Sequence, residues 1–105
     1  MSEKNSLQDI QRIVHNWINN HGGYWSPLAM LSAVIEEVGE LAKEINHLEG
    51  YKPKKNKDKK QNIGEELADI LYAVVCIANY YKVDLDIELK NVIEKFSKRD
   101  SERFI

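Results

Sequence analysis

The chain has 105 residues, and its 15 Lys+Arg against 17 Asp+Glu leave a formal net charge of −2, which argues against a general nucleic-acid binder. Hydrophobic residues at 43% and charged residues at 30% exclude a disordered chain. The length suits one domain over 1–105, able to bury about two-thirds of its extended surface, a core that self-association would enlarge.

The opening stretch, MSEKNSLQDIQR, has no apolar core of a signal peptide. The longest charge-free apolar run, residues 70–81, is too short to span a bilayer. A cytoplasmic protein without a membrane partner is therefore expected. The single cysteine, Cys76, excludes an intramolecular disulfide framework and a cysteine-based zinc site. Its apolar neighbours Val75 and Ile77 suggest a buried, unreactive thiol.

Apolar spacing is helical almost throughout. Leu7, Ile10, Ile13, Val14, Trp17 and Ile18 recur at threes and fours after Ser6, a natural N-cap, and His21-Gly22-Gly23 ends that helix. Ser26-Pro27 starts a second helix as a cap followed by proline in the first turn. Its stripe runs through Leu31, Val34, Ile35, Val38, Leu41, Ala42, Ile45 and Leu48 and stops at Gly50. Residues 51–61, YKPKKNKDKKQ, have no apolar period and read as a lysine-rich loop that could steer anions.

Asn62-Ile63-Gly64-Glu65 resembles a capping box for a third helix with Ile63, Leu67, Ile70, Leu71, Val74, Ile77, Ala78 and Tyr81 on one face. Residues 83–86, Val-Asp-Leu-Asp, read as a short turn. The fourth helix carries Leu85, Leu89, Val92, Ile93 and Phe96, with Lys98, Arg99 and Arg103 placed to suit the dipole at its end. No strand pattern intervenes. The expectation is an all-α, four-helix bundle-like protomer that is oligomeric.

Two segments carry the chemistry. Glu36-Glu37-Val38-Gly39-Glu40 lies mid-helix and Glu65-Glu66-Leu67-Ala68-Asp69 opens the third helix, each an E-E-x-x-[E/D] string bordering an apolar stripe. Helical spacing pairs Glu37 with Glu40, and Glu66 with Asp69, on one side of each helix. Like charges at that spacing cost about 0.2–0.5 kcal/mol per pair. Hard divalent cations relieve the repulsion best, and Mg²⁺ held by a few carboxylates plus phosphate oxygens points to phosphate-ester or anhydride chemistry. Six acids crowd these two strings while residues 52–60 hold six lysines and one aspartate. A near-neutral total thus hides an acidic seam beside a basic segment.

The pattern E-E-x-x-E, a spacer, then E-x-x-D resembles that of MazG-type nucleotide pyrophosphohydrolases of the all-α NTP pyrophosphatase superfamily, over nearly the whole chain. The resemblance implies hydrolysis of an NTP or dNTP to the monophosphate and pyrophosphate, with Mg²⁺, or Mn²⁺ as a substitute, on Glu37, Glu40, Glu66 and Asp69. Glu36 or Glu40 would take the proton of the attacking water, and a capping role accounts for Glu65. It further implies Lys95 and Arg99, with Asn91 a turn earlier, as phosphate-binding residues, since 91, 95 and 99 share a helical face. Trp25 sits where members place an aromatic near the base, though burial at an interhelical joint would also suit it. His47 falls where a substrate-facing residue is expected. Members of this size form homodimers or homotetramers.

Glu44-Ile45-Asn46-His47 is also the E-x-x-H half-motif of di-iron bundles, but the third helix offers no histidine to complete it. His15 and His21 have no partner at ligand spacing and read as surface positions, whereas Trp17 and Tyr72 are expected in the core or at an interface. A competing reading is a non-catalytic helical regulatory or binding module that retains the metal site. Another is a purely structural bundle, which would gain no thermal stability from Mg²⁺.

Overall fold

A computed structural model describes residues 6–50 and 62–103, which form α1 (Leu7–Asn19), α2 (Pro27–Leu48), α3 (Ile63–Tyr80) and α4 (Leu85–Arg103), with no strand among them. The all-α expectation holds. The lysine-rich segment lies outside the described residues. No helix among the described residues is long and apolar enough to cross a membrane.

The helix starts follow local side-chain chemistry. Ser6 accepts from the Asp9 N–H at 3.0 Å, and the Asp9 carboxylate accepts from the Ser6 N–H at 3.1 Å, a complete capping box. The bond from the Ser6 backbone, reinforced by Arg12 at 2.8 Å, holds the Asp9 carboxyl below its ordinary range. Ser26 accepts from the Ala29 N–H at 3.2 Å with Pro27 in the first turn of α2. Asn62 caps α3 by accepting from the Glu65 N–H at 2.8 Å. The Glu65 carboxylate then meets the Asn62 side-chain amide at 3.2 Å, so the reciprocal bond runs between side chains instead of returning to the backbone.

Between α3 and α4 the turn lies earlier than the sequence suggests. Lys82 adopts φ 58°, and the Val83 N–H donates to the Ala78 carbonyl at 2.8 Å while the Lys82 N–H donates to Asn79 at 3.1 Å. This is a Schellman ending with lysine where glycine is usual. Asp84 then accepts from the N–H groups of Asp86 (2.9 Å) and Ile87 (3.2 Å), so Leu85 and Asp86 are already helical. Aspartate as a cap, rather than a turn residue, is the reason.

The described residues group into two compact units, 6–24 with 78–103, and 25–50 with 62–77. In the first, Gln11 is the buried centre. Its amide donates to Asn79 Oδ1 at 3.0 Å and to the Val83 carbonyl at 2.8 Å, and its oxygen accepts from the Leu85 N–H at 2.9 Å. Asn79 returns a bond to the Gln11 carbonyl at 2.9 Å, and the Gln8 N–H reaches the Asp86 carboxylate at 3.0 Å. Only Ile18 of the expected α1 stripe is fully buried; Ile10, Ile13 and Trp17 are exposed. Trp17 is exposed and stacks on exposed His21 at 4.0 Å, which removes the core and leaves an interface as its expected place. His15 is half-buried, bonded at 2.7 Å to the Tyr24 hydroxyl, and Tyr24 meets Tyr80 edge-on. On α4, Leu89, Val92, Ile93 and Phe96 all remain exposed.

In the second unit the broad α2 stripe divides. Met30 is buried and Val34 and Leu41 are half-buried, whereas Leu28, Leu31, Ile35, Val38 and Ile45 face water. Those five fall at spacings of three, four, three and seven, a heptad row on the far side of the helix. From α3, Ala73, Val75 and Cys76 are buried while Leu67, Leu71 and Tyr72 are exposed. Burial pushes the Cys76 thiol up, consistent with an unreactive cysteine.

Candidate metal centre

The site lies within the second unit and draws on two helices. The middle of α2 presents Glu37, and the first turns of α3 present Glu66 and Asp69. One carboxylate oxygen from each lies within 4.8 Å of the other two, with Glu37 and Glu66 half-buried and Asp69 exposed. The positive end of the α3 dipole offsets part of the charge carried by Glu65 and Glu66 in its first turn.

The electrostatics of the group are unfavourable to three bare anions. Desolvation, followed by the charges of Asp69, Glu40 and Glu36, raises the Glu37 carboxyl above its ordinary value. Desolvation, then Asp69, Glu37, Glu40 and Glu44, raises Glu66 in the same way. Such a group takes up either protons or a cation. The donors are all hard oxygens, which suits Mg²⁺ or Mn²⁺ and not a thiophilic metal.

The structure thus brings Glu37, Glu66 and Asp69 together. Glu40 and Glu36 are exposed and stand outside that close group, although the charge of each reaches Glu37. Trp25 is 68% exposed, which removes burial at an interhelical joint as its use within the protomer. His47 is half-buried, and its Nδ1 is enclosed with no hydrogen-bond partner among the described residues. Asn91, Lys95 and Arg99 are exposed on α4, in the other unit. There the Lys95 ammonium lies 5.3 Å and the Arg99 guanidinium 4.6 Å from the Phe96 ring centre, while Arg99 Nε also meets Asp100 at 2.9 Å.

Glu44 was weighed in the sequence only as part of the E-x-x-H string, and it stands outside the close group of oxygens. It is buried to 9% exposure, and its charge bears on Glu66. Its spacing from Glu37 and Glu40, seven and four residues, was the available signal. The E-x-x-H string drew it toward His47 instead.

An all-α chain with a carboxylate group shared between two helices, E-E-x-x-E on one and E-x-x-D on the next, defines a class of metal-dependent hydrolase frame. Residues 25–104 match the MazG nucleotide pyrophosphohydrolase domain, and the chain belongs to that family. The uncharacterized protein YpjD of Bacillus subtilis (strain 168) is 42% identical over 105 residues, covering 99% of this chain and 94% of that protein. The crystal structure of YPJD from Bacillus subtilis, described as a candidate pyrophosphatase, superposes with a TM-score of 0.80 at 43% identity, over 94% of this chain and 99% of that one. A Bacillus-conserved MazG protein, described as a nucleotide pyrophosphohydrolase, gives a TM-score of 0.76 at 38% identity, over 90% of this chain and 92% of its own. Family membership implies hydrolase activity on a nucleotide.

Proposed function

We propose that this chain is a Mg²⁺-dependent pyrophosphohydrolase that converts an NTP or dNTP and water to the monophosphate and pyrophosphate. The observation that carries the reading is the convergence of Glu37, Glu66 and Asp69 within 4.8 Å in a chain of the MazG family. A divalent ion bound there would neutralise phosphate charge and make water a better nucleophile. Glu37, Glu66 and Asp69 would hold it, with Glu40 as the fourth ligand. Glu36 or Glu40, being exposed and adjacent, accepts the proton of the attacking water.

Lys95 and Arg99, with Asn91, bind the phosphate chain, and Phe96 steadies both cations from below. Exposed Trp25 stacks on the base, which His47 also faces. The whole of 1–105 acts as one domain, in the cytoplasm, clearing unwanted nucleotides from the pool, without a nucleic-acid or membrane partner. The experiment is a panel of NTPs and dNTPs incubated with Mg²⁺ or Mn²⁺, scoring pyrophosphate and monophosphate. Release of orthophosphate instead would remove the α–β assignment. No turnover with any nucleotide, together with retained metal binding, would favour the regulatory or binding module.

The working unit is a homodimer or homotetramer. The support is the exposed heptad row of α2 together with Leu67 and Leu71 of α3, an apolar surface that a second copy would cover. Ile35→Glu places a charge in the middle of that row. It is expected to shift the molar mass measured by light scattering to that of the monomer; an unchanged mass would remove α2 from the interface.

A further inference from the structure

The last turns of α4 hold an ion pair that helix stability does not explain. Arg99 Nε donates to Asp100 Oδ1 at 2.9 Å, and the two side chains stay 54% and 42% exposed. A pair that open adds little to stability, and a carboxylate near the end of a helix opposes the dipole. Consecutive residues on a helix do not face each other. The two meet here because Arg99 lies over the Phe96 ring, its guanidinium carbon 4.6 Å from the ring centre. The guanidinium is thereby held on its face by Phe96 and at Nε by Asp100. One of its five N–H groups is taken, and the four on Nη1 and Nη2 are left as donors. Among the described residues no other carboxylate pairs with Arg99, and none pairs with Lys95, whose ammonium lies 5.3 Å from the same ring centre.

We propose that Asp100 is a positioning residue for phosphate binding on α4: it fixes Arg99 through Nε, so that Nη1 and Nη2, side by side, meet two oxygens of one phosphate group. Lys95, a point charge over the same ring, takes a further oxygen. This rests on the reading of Lys95 and Arg99 as phosphate-binding residues and adds to it the residue that orients Arg99. Asp100 touches no phosphate itself. A carboxylate beside a polyanion site repels the ligand, so the sign of its removal is diagnostic. If Asp100 only repels, its loss tightens binding. If it orients Arg99, its loss weakens binding, because the ligand must then order a rotamer-rich side chain.

The test is calorimetric titration with inorganic tripolyphosphate in saturating Mg²⁺, a phosphate chain without a base. The proteins are wild type, Asp100→Ala, Asp100→Asn, Arg99→Ala and the double variant Arg99→Ala/Asp100→Ala. Asp100→Ala is expected to bind about two- to tenfold more weakly than wild type. Asp100→Asn, which keeps an oxygen to accept from Nε, is expected to recover part of that loss. Affinity equal to or tighter than wild type in Asp100→Ala overturns the proposal. In the Arg99→Ala background, removing Asp100 is expected to cost nothing further. A second loss of the same size there shows a general effect on α4 and also overturns it. That comparison decides the matter should Asp100→Ala lose Tm. Arg99→Ala separates the two readings. If it binds as wild type does, Arg99 is no phosphate-binding residue and both readings fall. If it binds weakly while Asp100→Ala keeps wild-type affinity, only the role of Asp100 falls.

Discussion

Glu37→Gln and Glu66→Gln are each expected to lower metal-dependent pyrophosphate release by at least about 100-fold, with the helical circular dichroism signal unchanged. Glutamine keeps the shape of the side chain and removes the charge that the cation needs. The metal-free variants should be no less stable than wild type, and the sign can be derived. Both carboxyls are raised by desolvation and then by neighbouring acids, so the folded chain binds their protons more tightly than the unfolded chain does. Their ionisation therefore costs stability as pH rises through the folded values, and that cost is relieved as pH falls back through them. Metal competes with the same protons. Affinity for Mn²⁺ should accordingly fall as pH is lowered into the raised range of Glu37 and Glu66. Retained turnover in either glutamine variant would sink the site assignment.

Gln11→Ala is expected to cost about 2–4 kcal/mol, the largest single loss in the molecule outside the site. The substitution removes three hydrogen bonds of 2.8–3.0 Å and leaves the Val83 carbonyl and the Leu85 N–H unpaired. Those groups sit in the connection after α3 and at the first residue of α4, where the backbone has orphan donors and acceptors to satisfy. In a chain of this size the loss corresponds to a fall in Tm of roughly 10–25 °C. Thermal unfolding followed by circular dichroism gives the answer. A fall of under about 3 °C would show that these groups find other partners. Since Gln11 belongs to the unit that lacks the acidic group, Mn²⁺ affinity at low temperature should be spared.

Helix placement was legible because its determinants are local. Ser6, Ser26 and Asn62 each accept a bond from a backbone N–H three residues on, and Gly22 and Gly50 take the positive φ that ends a helix. The one misplaced boundary, at 83–86, arose because aspartate serves turns and caps equally well, and only the bonds of Asp84 to Asp86 and Ile87 distinguish them. Apolar periodicity was a poorer guide to burial. Ile10, Ile13 and Trp17 keep the helical period yet stay exposed, while polar Gln11 takes the centre of its unit. Periodicity reports which residues share a face, and burial depends on what lies against that face.

The acidic seam beneath the near-neutral charge was readable from sequence alone, because the spacing of two E-E-x-x-[E/D] strings on helices dictates their pairing. That Glu37, Glu66 and Asp69 meet within 4.8 Å, and that Glu40 stands apart, was decided by the packing of α2 on α3. Rotation of one helix against another is set by many side-chain contacts at once, and a single helical wheel carries no record of it. Glu44 is likewise one of seventeen acids in the sequence, and only the tertiary structure shows it buried, with its charge bearing on Glu66.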